Sequence, residues 1–219
     1  EALGKDYKLI MAELWGHGES PIPGAAAFTL ERYDQELERI RVDLGIDSWS
    51  LIGQSYAAGL AIRYGINHPG RTSRIVVTNS RSAFGDITTQ QRPPPQAEQD
   101  KNKAVDKSRN RHLPIHPIYA RRLPDDVKAR LVESADNISQ EAIDRGGRIG
   151  FKLNTLDILD TVPVPLLLAN GIYEKSFQAD AQAIKDNFKA VAVVDLPGGH
   201  AVNIEAAAEF NVAVLNFFN

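Results

Sequence analysis

The order of apolar runs along the chain predicts an α/β protein: a mostly parallel sheet with helices on both faces and a helical insertion between its two halves. Three observations carry this expectation. Up to about residue 78, short apolar runs alternate with segments of helical period. From Ser82 to Asp160 no strong strand signal occurs. From Val164 onward, strand and helix patterns alternate again. The 219 residues suffice for one domain with an insertion. The expected division is a first part of the core over 1–81, a helical cap or lid over 82–160, and the last part of the core over 161–219.

Each element has its own justification. Tyr7 to Leu14, "YKLIMAEL", is a short apolar run that predicts a buried strand. Leu30, Tyr33, Leu37, Ile40 and Leu44 follow at spacings of three and four, which predicts a helix with one apolar stripe, ended by Gly45 as a left-handed cap. Trp49 to Ile52 is a strand, Tyr56 to Asn67 a helix rich in small residues, and Ile75 to Thr78 another strand. His68-Pro69 marks the helix end, because proline disfavours helix at the residue before it. Gln90 to Arg111 is polar, carries charges of both signs and holds three adjacent prolines, so a solvated loop is expected. Pro124 to Ala135 and Ser139 to Arg145 are helical in pattern, with Ser139 a weak cap. Val164 to Ala169 and Ala190 to Asp195 are strands around a helix near 178–188, and one last helix is expected from about Ile204 to Phe218.

Composition removes several classes of function. A net charge of −3 offers no electrostatic reason to expect nucleic acid or an anionic membrane as partner. The absence of cysteine excludes disulfides, thiolate metal sites and a thiol nucleophile. No apolar run approaches the roughly 18 residues that span a bilayer. "GQSYAAG" lacks the Gly-Lys-Ser/Thr ending of a phosphate loop. His112 and His116 are four apart, but Pro114 between them argues against a shared helical face and hence against a metal site. His17 and His68 are expected to be structural, in a loop and at a helix end.

The chemistry centres on "SLIGQSYAAG", residues 50–59, where a strand runs into a helix through Gly53-Gln54-Ser55. Such a turn is sharp and needs small neighbours, and it lifts the Ser55 hydroxyl to the carboxyl edge of the sheet. A serine hydroxyl is a poor nucleophile near neutral pH unless a base takes its proton and an acid orients that base. His200, in Gly198-Gly199-His200 after the last strand, supplies the base, and Glu174, in "NGIYE" after the preceding strand, the acid. Asp86, just after the third predicted strand in "SRSAFGD", is the second candidate for the acid.

Four motifs in this order resemble the α/β-hydrolase family of the capped, single-domain kind, over nearly the whole chain. "ELWGHGES" is similar to its Asp-x-x-Gly-x-Gly-x-Ser loop, and "LIGQSYAAGLAIRYGINHPGRTSRIVVTNS" to the nucleophile elbow with its helix and next strand. "VPVPLLLANGIYE" resembles the segment that carries the acid, and "LPGGHAVNIEAAAEFNVAVLNFF" the one that carries the histidine. The chain departs from the family pattern in three places. Ala57 stands for a glycine, Glu174 for the commoner aspartate, and the family's first strands and His-Gly loop would lie before Glu1. The resemblance therefore predicts roughly 40–60 further N-terminal residues in the natural protein.

The resemblance implies a serine hydrolase with a Ser55-His200-Glu174 triad, the Tyr56 amide as oxyanion donor, and Trp15 and Tyr56 lining the substrate pocket. A small carboxylic ester or lactone is the expected substrate, with no cofactor, no metal, no nucleic acid and no membrane partner, and a cytoplasmic location. Carbon–carbon bond hydrolysis by the same triad, with Arg121 or Arg122 as a cationic anchor, is one alternative. A ligand-binding homologue without turnover is the other. Fold alone does not choose among substrates.

Overall fold

The computed structural model describes residues 2–85, 109–113 and 116–219. Four strands, β1 (Trp49–Gly53), β2 (Thr72–Thr78), β3 (Leu166–Gly171) and β4 (Val191–Leu196), lie in one sheet in the order β1-β2-β3-β4. All three pairings are parallel. The expected parallel sheet is therefore present, and every carboxyl end of a strand lies on the same edge.

The central strands β2 and β3 read as apolar runs because both of their faces are covered. Ile75, Val77, Leu166 and Leu168 point into one cluster, with α2 (Tyr56–Asn67) and α6 (Gln178–Asn187) supplying Ala58, Ala61, Ile62, Ala181 and Ile184. Val76, Leu167, Ala169 and Leu196 point into a second cluster, filled by Phe210 and Val214 of α8 (Ala207–Phe218) and by Val202 of α7 (Val202–Glu205). This alternation is the period of two that a pleated strand imposes.

The chain divides into two compact units, one of Glu1–Leu9, Thr29–Gln90 and Ile149–Asn219, the other of Ile10–Phe28 and Gln91–Arg148. The short α3 (Arg81–Phe84) follows β2 in the first unit; in the second, α4 (Asp125–Asn137) carries Asp136, which takes two hydrogen bonds from Arg111 at 3.1 and 2.6 Å and stands 3.3 Å from the buried His116. Ser139 caps the start of α5 (Gln140–Gly150), accepting from Ala142 N–H at 3.1 Å.

Two expectations are corrected. The run Tyr7–Leu14 is not a strand: Leu9 is 51% and Met11 93% exposed, and no part of it joins the sheet. An apolar run states a preference for burial, but a strand exists only where a neighbour completes its ladder. The single C-terminal helix is two, α7 and α8, separated at Ala206 (φ −129°, ψ 51°). Alanine favours helix, so no local preference announces the break. Ala206 is buried in the second cluster.

The helix expected before the elbow is α1 (Leu30–Asp43), capped by Thr29, whose hydroxyl accepts from Arg32 N–H, and ended by Gly45 at φ 63°. It is tied to α2 by Glu38, which accepts from Arg41 at 2.7 and 3.0 Å, from the Tyr64 hydroxyl at 2.7 Å, and from Arg71. The Arg41 hydrogen bonds first, then the Tyr64 hydroxyl and the charges of Arg41 and Arg71, outweigh burial and bring the Glu38 carboxyl down to about 2. A carboxyl depressed on folding stabilises above its unfolded value near 4.5 and loses that contribution as pH falls through about 2. Glu38→Gln is expected to cost roughly 1–2 kcal/mol at pH 7. Thermal melts from pH 7 to pH 2 should show the difference from wild type shrinking on acidification. Equal stabilities at pH 7 would refute the contribution.

Candidate active site

Ser55 stands two residues past the end of β1 and directly before α2, with φ 51° and ψ −115°. It is the non-glycine residue of positive φ among those described. Such a conformation costs on the order of 1–3 kcal/mol and persists only where its surroundings hold it. Three hydrogen bonds do so: Ala57 N–H to Gln54 O at 2.9 Å, Ala58 N–H to Ser55 O at 3.0 Å, and Ser55 N–H to the Thr78 hydroxyl at 3.2 Å. Gly53 is required by close approach. A Cβ there would lie 2.5 Å from Ala57 O and 2.9 Å from the Ala58 Cα, both backbone atoms. Ala57 itself, in place of the usual glycine, fits in the first turn of α2.

Glu174 follows β3 by three residues, and His200 follows β4 by four. His200 Nδ1 and Glu174 Oε1 are 3.0 Å apart. The longer glutamate thus reaches the imidazole. Burial pushes the Glu174 carboxyl up, but the hydrogen bond and charge of His200, with smaller contributions from the Asn79 amide and the Arg81 guanidinium, hold it below the usual range. The carboxylate therefore stays ionised at neutral pH and favours the tautomer with its proton on Nδ1. His200 Nε2 is then left as a proton acceptor.

The two loops meet because glycines let them. A Cβ on Gly171 would lie 2.1 Å from Gly199 O and 2.9 Å from Gly198 O. At that crossing Ile172 N–H donates to Leu196 O and Tyr173 N–H to Gly198 O, at 3.1 and 2.9 Å. Gln178 Nε2 donates to Gly171 O and Glu174 O, each at 3.1 Å, which pins the acid loop from α6. Glu205 accepts from Gly199 N–H at 2.8 Å and pins the loop before His200. Sequence reasoning missed Gln178 and Glu205. Each is an ordinary helical residue, and only the path by which the preceding loop folds back over its helix gives it a partner.

Of the other sequence candidates, Tyr56 opens α2, and its partly buried phenol is pushed up by desolvation. Trp15 belongs to the second unit, where its ring meets Phe28 edge-on at 5.2 Å. Asp86 lies outside the described residues. His17 Nδ1 is 3.2 Å from Trp15 O within its own loop, and His68 Nε2, at the end of α2, is 2.8 Å from Asp34 of α1. Among the described residues no cluster of three His, Asp or Glu side chains could hold a metal ion, and no helix is long and apolar enough to cross a membrane.

Comparison with known proteins bears on this arrangement. Over 79 residues, 33% of the chain, the sequence is 34% identical to a probable proline iminopeptidase of Streptomyces coelicolor, of which the matched stretch spans 24%. It is 30% identical over 87 residues to a proline iminopeptidase of Lactobacillus delbrueckii, covering 38% of this chain and 30% of that one. The chain thus matches only about a quarter to a third of the length of these curated relatives. The solved structure of a hydrolase from Pseudomonas aeruginosa superposes with a TM-score of 0.75 at 18% identity, covering 100% of this chain and 82% of that one. At that identity the likeness concerns the fold. The sequence pattern of the alpha/beta hydrolase fold matches residues 1–207. With the parallel sheet and the elbow at Ser55, this means that the chain belongs to the alpha/beta hydrolase fold family.

Proposed function

We propose that the protein is a serine hydrolase that cleaves a small carboxylic ester or lactone through Ser55, His200 and Glu174. The observation that carries this reading is the 3.0 Å hydrogen bond between His200 Nδ1 and Glu174 Oε1, on the sheet edge where the strained Ser55 also stands. His200 Nε2 takes the proton as Ser55 Oγ attacks the carbonyl carbon. The Tyr56 N–H helps bind the resulting oxyanion, an interaction worth about 2.7–4 kcal/mol for a well-placed donor. The ester C–O bond breaks, His200 protonates the departing alcohol, and an acyl-enzyme remains. Water, deprotonated by His200, then attacks the acyl carbon and releases the acid and Ser55. Glu174 holds the tautomer and stabilises the imidazolium. Substrate choice is assigned to the 82–160 segment, as the sequence resemblance implies.

The curated relatives favour a second reading, amide cleavage next to an N-terminal proline by the same three residues. A fluorophosphonate probe followed by peptide mass spectrometry tests the common core. Covalent labelling at Ser55 is expected, with turnover of short-chain aryl esters or lactones. Faster turnover of a prolyl anilide than of any ester would select the second reading. Binding of these compounds with neither labelling nor turnover would replace both with a non-catalytic ligand binder.

A further inference from the structure

We propose that Thr78 and Asn79, at the carboxyl end of β2, are positioning residues that hold the nucleophile turn on one side and the acid loop on the other. This rests on the triad reading above. β2 is the strand between β1 and β3, so its end faces both loops. Thr78 is 0% exposed, and its hydroxyl accepts the Ser55 N–H at 3.2 Å. That bond fixes the peptide leading into the strained residue.

Asn79 is also 0% exposed, and its amide is used at both ends. Its Nδ2 donates to Gly171 O at 2.9 Å, and its Oδ1 accepts from Gly171 N–H at 2.9 Å. The side chain thus imitates a neighbouring peptide. The β2–β3 backbone pairing ends at Thr78↔Ala169, and the Asn79 amide extends the contact to Gly171. Gly171 is the residue against which Gly199 O packs, three positions before Glu174. Holding Gly171 therefore fixes the acid loop and the loop before His200 together.

Burial alone does not call for these residue types. An apolar residue of similar size would fill either position without the desolvation cost of an amide or hydroxyl. Both polar side chains instead bond the backbone of loops that carry reacting groups. The favourable effect of the Asn79 amide on the ionised Glu174 is consistent with this placement.

The test is a double-mutant cycle on the turnover of the aryl ester used most rapidly, with Ser55→Ala as the first control. Undiminished turnover in Ser55→Ala overturns the triad reading and this proposal with it. Given loss in that control, Asn79→Ala is expected to lower kcat about tenfold with KM within about twofold, and to change kcat less than twofold in a Glu174→Gln background. A tenfold loss that persists in that background, or none in either, overturns the role of Asn79. Should Asn79→Ala not fold, Asn79→Ser, which keeps one hydrogen-bonding group toward Gly171, takes its place in the same cycle: a kcat loss of at least about threefold is expected, falling below about twofold in the Glu174→Gln background, and a loss that persists there, or none in either, overturns the role of Asn79. Thr78→Val is expected to slow fluorophosphonate labelling of Ser55 about fivefold, and Thr78→Ser to restore it. Labelling of Thr78→Val at the wild-type rate overturns the role of Thr78.

Discussion

Ser55→Ala is expected to lower kcat on the order of 10⁴- to 10⁶-fold, and His200→Ala by a comparable factor. Alanine removes the only atom that forms the acyl bond, so residual turnover must come from direct attack by water. The two losses should not add. Once either member of a nucleophile–base pair is gone, the other has no proton transfer to perform, and the double variant should match the singles. Folding gives no reason for loss of the native state in either case. Ser55 and His200 are partly exposed, and Ser55 holds its turn through backbone atoms rather than its hydroxyl. Steady-state kinetics on the preferred aryl ester, with thermal melts as the control, measure the effect. Turnover within tenfold of wild type in either variant would remove both from the mechanism.

The second large effect comes from a residue with no reactive group. Gly171→Ala is expected to lower kcat/KM about 100-fold while the protein still folds. The added methyl would lie 2.1 Å from Gly199 O, a backbone atom that cannot rotate away. Either the acid loop or the loop before His200 must retreat by roughly an ångström, and a displacement of that size costs about 10² in rate when catalytic groups lose their alignment. The stability cost of such overpacking is typically 1–3 kcal/mol. The expected pattern is therefore a moderate fall in melting temperature with a disproportionate fall in rate. Activity within about twofold of wild type would mean that the crossing at Gly171 does not set the distance between Glu174 and His200. Gly150→Ala is a suitable comparison, because among the described residues a Cβ there meets only the Tyr56 ring edge, at an ordinary 3.6 Å.

Much of this organisation was legible in the order of residues. The two central strands announced themselves because a parallel strand covered on both faces is apolar along its length, and β2 and β3 are buried almost throughout. The helix after the elbow was delimited at both ends, by the Gly-x-Ser turn and by His68-Pro69, and α2 spans those bounds. Ser55, Glu174 and His200 stood out because each lies within two to four residues of the end of a strand, and a residue just past a strand lies near the sheet edge. What failed was the segment Tyr7–Leu14. Its apolarity is real, but pairing is a property of two strands and cannot be read from one.

The sequence by itself determined the alternation of strands and helices, the turn that holds Ser55 in strained backbone, and the residue types able to act as nucleophile, base and acid. These are local matters, set by periodicity, by steric limits on φ and by side-chain chemistry. Only the tertiary structure decided that Glu174 Oε1 meets His200 Nδ1, that Gly171 admits Gly199 O, and that Thr78 and Asn79 brace the loops on either side of them. Those pairings join positions from 23 to 92 residues apart in the chain. A hydrogen bond between such positions depends on how neighbouring strands are ordered and registered, and no local preference encodes that.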